Sequence, residues 1–195
     1  MTAARRFAVG VTPRYDAAMK ITLDHNVIID LANRSPNVDR LRELIVAGVH
    51  EPFVVEVGAS EMNRRGIKPD RFDMYEQLLD QAGVKTALRL KPMKRWDVTF
   101  WDHCVWPDEK MLGEAGDIEE ILFGDSKPIS RPNEDDAPHH IAASINRFCD
   151  VQNMWCHIRS GNDIFVTSDR NFLKATKLPV LIAIGARHVC LPEML

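Results

Sequence analysis

Four carboxylates stand where their chemistry is hard to overlook. Asp24 closes an apolar stretch in LDHNVIID, and Asp169 closes another in FVTSDRNF. Asp136 opens the segment DDAPHHIAAS, and Glu61 follows a third apolar run in VVEVGASEMNRR. They lie 37, 75 and 33 residues apart in sequence, so only the fold can gather them. Converging carboxylates repel one another and need protons or a hard cation at neutral pH. Mg2+ or Mn2+ is the physical match, because both accept oxygen ligands and retain water. Such a site can activate water and stabilise a phosphodiester during in-line attack. Each acid also has a plain structural reading. Asp136 and Asp169 could each cap a following helix, and Glu61 could be a helix-surface acid with Glu56 as its competitor. Asp24 resists that reading most, since an acid ending an apolar strand is costly to bury without a partner.

The elements that must position these acids alternate along the chain. Residues 20–24 and 52–57 read as short buried strands. Between them Ser35, Pro36 and the spacing of Val38, Leu41, Leu44 and Ile45 predict a helix ending near Gly48. A second helix is expected over 69–82, with Phe72, Tyr75, Leu78 and Leu79 on one face. Residues 97–133 mix Trp, Pro, Gly and acids and read as an insertion with short helices. From Asp136 to Ser160, Ile141, Ile145, Phe148, Val151, Trp155 and Ile158 step by three and four, which predicts a long amphipathic helix. DIFVT then reads as a strand, RNFLKA as a short helix, PVLIAI as another strand and HVCL as the last one. The alternation predicts an α/β fold, a central parallel sheet with helices on both faces. Sites in such sheets lie at the carboxyl ends of strands.

Composition narrows the classes. The chain has 195 residues, 45% apolar and 27% charged, enough for one domain with a sizeable core and too apolar for disorder. No uncharged run approaches the roughly 20 residues of a membrane helix, and no signal peptide is evident, so a cytoplasmic protein is expected. Four cysteines do not make a disulfide framework. The net charge of -3 hides an asymmetry. Lys85, Arg89, Lys91, Lys94 and Arg95 occur without an acid between them, whereas residues 108–136 carry ten acids and three bases. That pattern points to separate binding surfaces or a cation site.

At the acidic segments the chain resembles the PIN-domain nucleases. LDHNVIIDL is similar to their opening strand motif, SEM to their second acid, DAPHHIAAS to their third motif and VTSDRNF to their fourth. The closing VCLPEML is similar to their last strand and tail. The likeness covers roughly 19–82 and 134–195, in the family's order, within a single PIN-like domain preceded by an extension over 1–18. It implies a compact α/β domain whose acidic pocket binds Mg2+ or Mn2+ and cleaves RNA as an endoribonuclease. Asp24, Glu61, Asp136 and Asp169 would be the metal and catalytic quartet, with Asn26 and Thr167 as polar supports. Many bacterial members are toxins, which implies a possible antitoxin partner and, by the same likeness, a homodimer. His25 departs from the family's usual Thr or Ser. The span from Asp136 to Asp169 and the middle segment 83–133 are both longer than usual, which sets the chain apart from a typical toxin.

Other signals are weaker. His139 and His140 follow the third acid and read as helix-packing residues before phosphate contacts. Cys149, Cys156 and His157 lack a zinc-finger spacing and read as core groups. No Gly-rich phosphate loop or nucleophile elbow is present. Bases interleave with Trp96, Phe100, Trp101 and Trp106, the composition of a single-strand nucleic-acid surface, unless the rings pack inward. Arg64, Arg65, Lys94 and Arg95 are the candidate RNA contacts. Two other functions stay open beside the nuclease: a non-catalytic RNA- or protein-binding module, and a metal-dependent phosphatase.

Overall fold

Side chains alternate along a strand, and here they feed two separate cores. Ile21, Leu23, Val54, Ile164, Val166 and Cys190 face one side of the sheet, whereas Val55, Phe165 and Val189 face the other. The computed structural model describes residues 18–62, 72–124 and 138–195, with side chains of the last span from residue 142. Strands β1 (Met19–Leu23), β2 (His50–Val55), β3 (Leu88–Leu90), β4 (Ile164–Val166) and β5 (His188–Cys190) form one sheet in the order β3-β2-β1-β4-β5. All four pairings are parallel. The expected α/β architecture with a central parallel sheet is therefore present.

Helices α1 (His25–Ala32), α2 (Asp39–Val46), α3 (Gly58–Glu61) and α4 (Phe72–Gln81) precede or follow the first two strands. Val27, Ile28 and Leu31 of α1, Leu41 of α2, and Tyr75 and Leu79 of α4 cover the first face. Helices α5 (Glu109–Phe123), α6 (Pro138–Ser160) and α7 (Leu178–Leu181) cover the second through Met111, Ile118, Leu122, Phe148, Val151, Trp155 and Leu181. Among the described residues no helix is long and apolar enough to cross a membrane.

Two elements were not expected, and three readings need correction. Helix α1 begins at once after β1, and the short edge strand β3 lies inside the basic stretch; neither is apparent in the periodicity. Within 97–133, read as an insertion with short helices, α5 is a 15-residue helix, capped by Asp108, whose apolar side completes the second core. PVLIAI is not a strand. It continues α7 into a π-type turn over Ile182–Ala186 with Val180, Ile182 and Ile184 exposed, because β4 and β5 are parallel and need a crossover between them. RNFLKA forms hydrogen-bonded turns instead of a helix.

Under the second face a polar network replaces apolar packing. The His157 Nε2–H donates to the Ala186 carbonyl (2.9 Å), which leaves Nδ1 to accept from the Thr22 hydroxyl (2.9 Å). The Asn162 amide in turn donates to Thr22 Oγ1 (2.8 Å). Burial holds the imidazole down at a pKa of about 4, so it is neutral near pH 7.

Candidate functional site

In this strand order the chain leaves β1 toward β2 on one side and returns to pair β4 on the other. Parallel sheets open a crevice at such a reversal, beyond the carboxyl ends of the two strands. Asp24 follows β1 directly, and Thr167 follows β4. The backbone draws the two ends together, with Asp24 N donating to the Val166 carbonyl (3.0 Å).

Asp24 is 2% exposed and sits at the N-cap of α1. Its Oδ1 accepts from His25 N (2.8 Å) and from the Asn153 amide (3.0 Å), and its Oδ2 accepts from the Thr167 hydroxyl (2.7 Å). Capping accounts for only the first of these bonds; the others reach to α6 and β4. Burial raises the carboxyl pKa to about 6. Its three hydrogen bonds pull the other way, and the nearby charge of Asp169 adds to the rise.

Asp169 is oriented by two local bonds. Its backbone N–H donates to Thr167 Oγ1 (2.9 Å), and its Oδ1 accepts from Asn171 N (2.7 Å). Thr167 therefore links the two acids: it donates to one and receives from the backbone of the other. Lys177, near enough to sense the Asp169 charge, donates its ammonium to Asn171 Oδ1 (2.6 Å) and to the Leu122 carbonyl.

The remaining members of the expected quartet are placed differently. Glu61 ends α3, and its charge acts on Tyr75. That short helix still approaches the site: a Cβ at Gly58 would lie 2.8 Å from His25 Nδ1, so only glycine permits the contact. Asp136, Arg64 and Arg65 lie outside the described residues, as do the side chains of His139 and His140. Asn26 is exposed on α1, and Asp24's side-chain partners among the described residues are His25, Asn153 and Thr167.

Asp24 is supported by Asn153, a residue that sequence reasoning missed. Helix α6 is buried from Val151 to His157, including Gln152 and Asn153, so an apolar stripe does not mark its inward side. A buried asparagine needs partners, and here the partner is Asp24. Asp150 lies one turn ahead of Asn153 on the same side of α6, half-buried. Among the described residues no group of three His, Cys, Asp or Glu side chains is close enough to hold a metal.

Lys94 and Arg95 do not extend as simple phosphate contacts. Arg95 turns inward, donating to Ser144 O (3.4 Å) and Oγ (2.9 Å), 5.1 Å from the Phe148 ring centre. Lys94 is enclosed by tryptophans. Cys149 and Cys156 are buried thiols, as expected, and burial raises the Cys156 pKa. No known family profile and no curated protein matches the chain.

Proposed function

We propose that the protein is a divalent-metal-dependent endoribonuclease of PIN type, with Asp24 and Asp169 as the core of its acidic site. The observation that carries this reading is a carboxylate buried beside a second one at the carboxyl edge of the β1–β4 crevice. Burial of this kind stabilises nothing by itself. Asp24 uses three of its roughly four acceptor positions, and the pair offers only oxygen donors, so the donor set fits Mg2+ or Mn2+. When bound, the ion would neutralise the pair and supply an activated water for attack on phosphorus.

The chain's own residues prepare this site. Thr167 fixes Asp24 Oδ2, Asn153 and His25 N fix Oδ1, and the turn at Asn171 sets the direction of Asp169. Lys177 places a cation beside Asp169, where a scissile phosphate would gain from it. By the likeness in sequence, Glu61 and Asp136 would complete the acidic set, with Asp150 as a further acid on α6, and Arg64 and Arg65 would contact RNA.

The test is cleavage of a mixed single-stranded RNA with Mg2+, with Mn2+ and with EDTA, comparing wild type with Asp24→Asn and Asp169→Asn. Metal-dependent internal cleavage lost in both variants is expected. Mn2+ binding without RNA cleavage, but with hydrolysis of a small phosphomonoester, would make the protein a phosphatase. Absence of Mn2+ binding would leave a binding module.

A further inference from the structure

Residues 93–106 form a loop after β3, at the same edge of the sheet as the acids. Its neck is closed by Lys94 N donating to Val105 O (2.8 Å) and Val105 N to Pro92 O (2.9 Å). Three indoles gather on it. Trp96, Trp101 and Trp106 have ring centres 5.8–6.3 Å apart, and the Trp101–Trp106 pair is almost perpendicular, at 89°. Lys94 Nζ stands 3.7, 3.1 and 4.0 Å from the three centres. Three aromatic faces around one cation make a cage whose attraction is electrostatic.

Two features distinguish this cage from ordinary packing. The indoles are 55%, 64% and 67% exposed, so the rings form a rim in solvent and not a plug in the core. The caged ammonium is also a poor match for its surroundings. A primary ammonium has three N–H donors, yet Lys94 Nζ is buried and makes no hydrogen bond to a described residue. Indole faces satisfy the charge but leave those donors unmade, at a cost. A quaternary ammonium has the same charge and no N–H to lose.

We infer that the cage of Trp96, Trp101 and Trp106 is a binding site for a quaternary ammonium group, with Lys94 as its resident competitor. A cavity of about 460 Å³ adjoins it, lined by Lys94, Trp96, Leu112, Glu119, Phe148 and Gln152. It provides space for the displaced lysine, with the Glu119 carboxylate on its wall, or for the remainder of a larger ligand. This inference is independent of the nuclease reading.

The probe is tetramethylammonium chloride, with ammonium chloride and sodium chloride as controls, followed by tryptophan fluorescence. Indole N–H resonances of the wild type provide a second readout that needs no variant. Wild type should show a saturable change at three indoles and none at the buried Trp155. Lys94→Ala should bind the probe at least tenfold more tightly, because no side chain must leave first. Trp101→Ala should abolish saturable binding while its melting transition shows that it is folded. The inference is overturned if the wild-type indoles show no saturable shift, if ammonium chloride works as well as the quaternary ion, or if Lys94→Ala gains no affinity.

Discussion

Replacing Asp24 with Asn separates a metal-site acid from a helix cap. The carboxyl titrates near 3.8 in an unfolded chain and at about 6 in the fold. A raised acid pKa means that the folded state holds the proton more tightly. Wild-type stability therefore falls as pH rises from about 4 to 6, and the penalty stays in place above that. Two pK units correspond to about 3 kcal/mol at pH 7–8. Asn keeps the shape and still accepts from His25 N and the Asn153 amide. Its amide then faces Thr167 Oγ1, whose proton loses a partner, an offset of about 1 kcal/mol. The net gain at pH 8 is about 2 kcal/mol, or roughly 4–8 °C in melting temperature for a chain of this size, and it should vanish near pH 4. Melts of both proteins in EDTA across pH 4–8 measure it, and the shared His157 contribution cancels in the difference. A residue that only caps the helix predicts almost no change at any pH, because Asn caps about as well as Asp. That result would refute the reasoning. Saturating Mn2+ should stabilise the wild type by ligand linkage and stabilise Asp24→Asn much less.

Three further perturbations follow. Asn153→Asp sets a new carboxylate at the atom that now donates to Asp24; its melting temperature should fall sharply in EDTA and recover with Mn2+, which differential scanning fluorimetry would read. Gly58→Ala forces a methyl against His25 and Tyr75 and should cost about 1–3 kcal/mol in urea denaturation. Thr22→Val strips His157 Nδ1 and Asn162 of their partner and should also cost about 1–3 kcal/mol; because folding holds His157 neutral, wild-type stability should decline as pH falls from 6.5 toward 4.

The parallel sheet was legible because Ile21–Leu23, Phe53–Val55 and Ile164–Val166 are continuous apolar runs with turn chemistry between them. Asp24 and Asp169 were legible for a related reason: each is a charge at the carboxyl end of such a run. What escaped was set by tertiary context. PVLIAI is as apolar as a strand, and only the parallel pairing of β4 with β5 makes it a crossover. Asn153 carries no local signal, since its role exists only once α6 crosses behind β1. The tryptophans read as either a nucleic-acid surface or core packing; they are exposed and not in the core, and they face each other and Lys94, an arrangement that composition cannot specify.

The central position of β1 also fixes when the site comes into being during synthesis. Asp24 and Thr167 are separated by 143 residues, and α6 with Asn153 lies between them in sequence. At translation rates of 5–20 residues per second, about 7–29 seconds pass between the emergence of one acid's strand and that of the other. Throughout that interval the first strands lack the β4 pairing that draws the acids together. The crevice that brings Asp24 beside Asp169 therefore takes shape only once β4 has emerged and paired with β1.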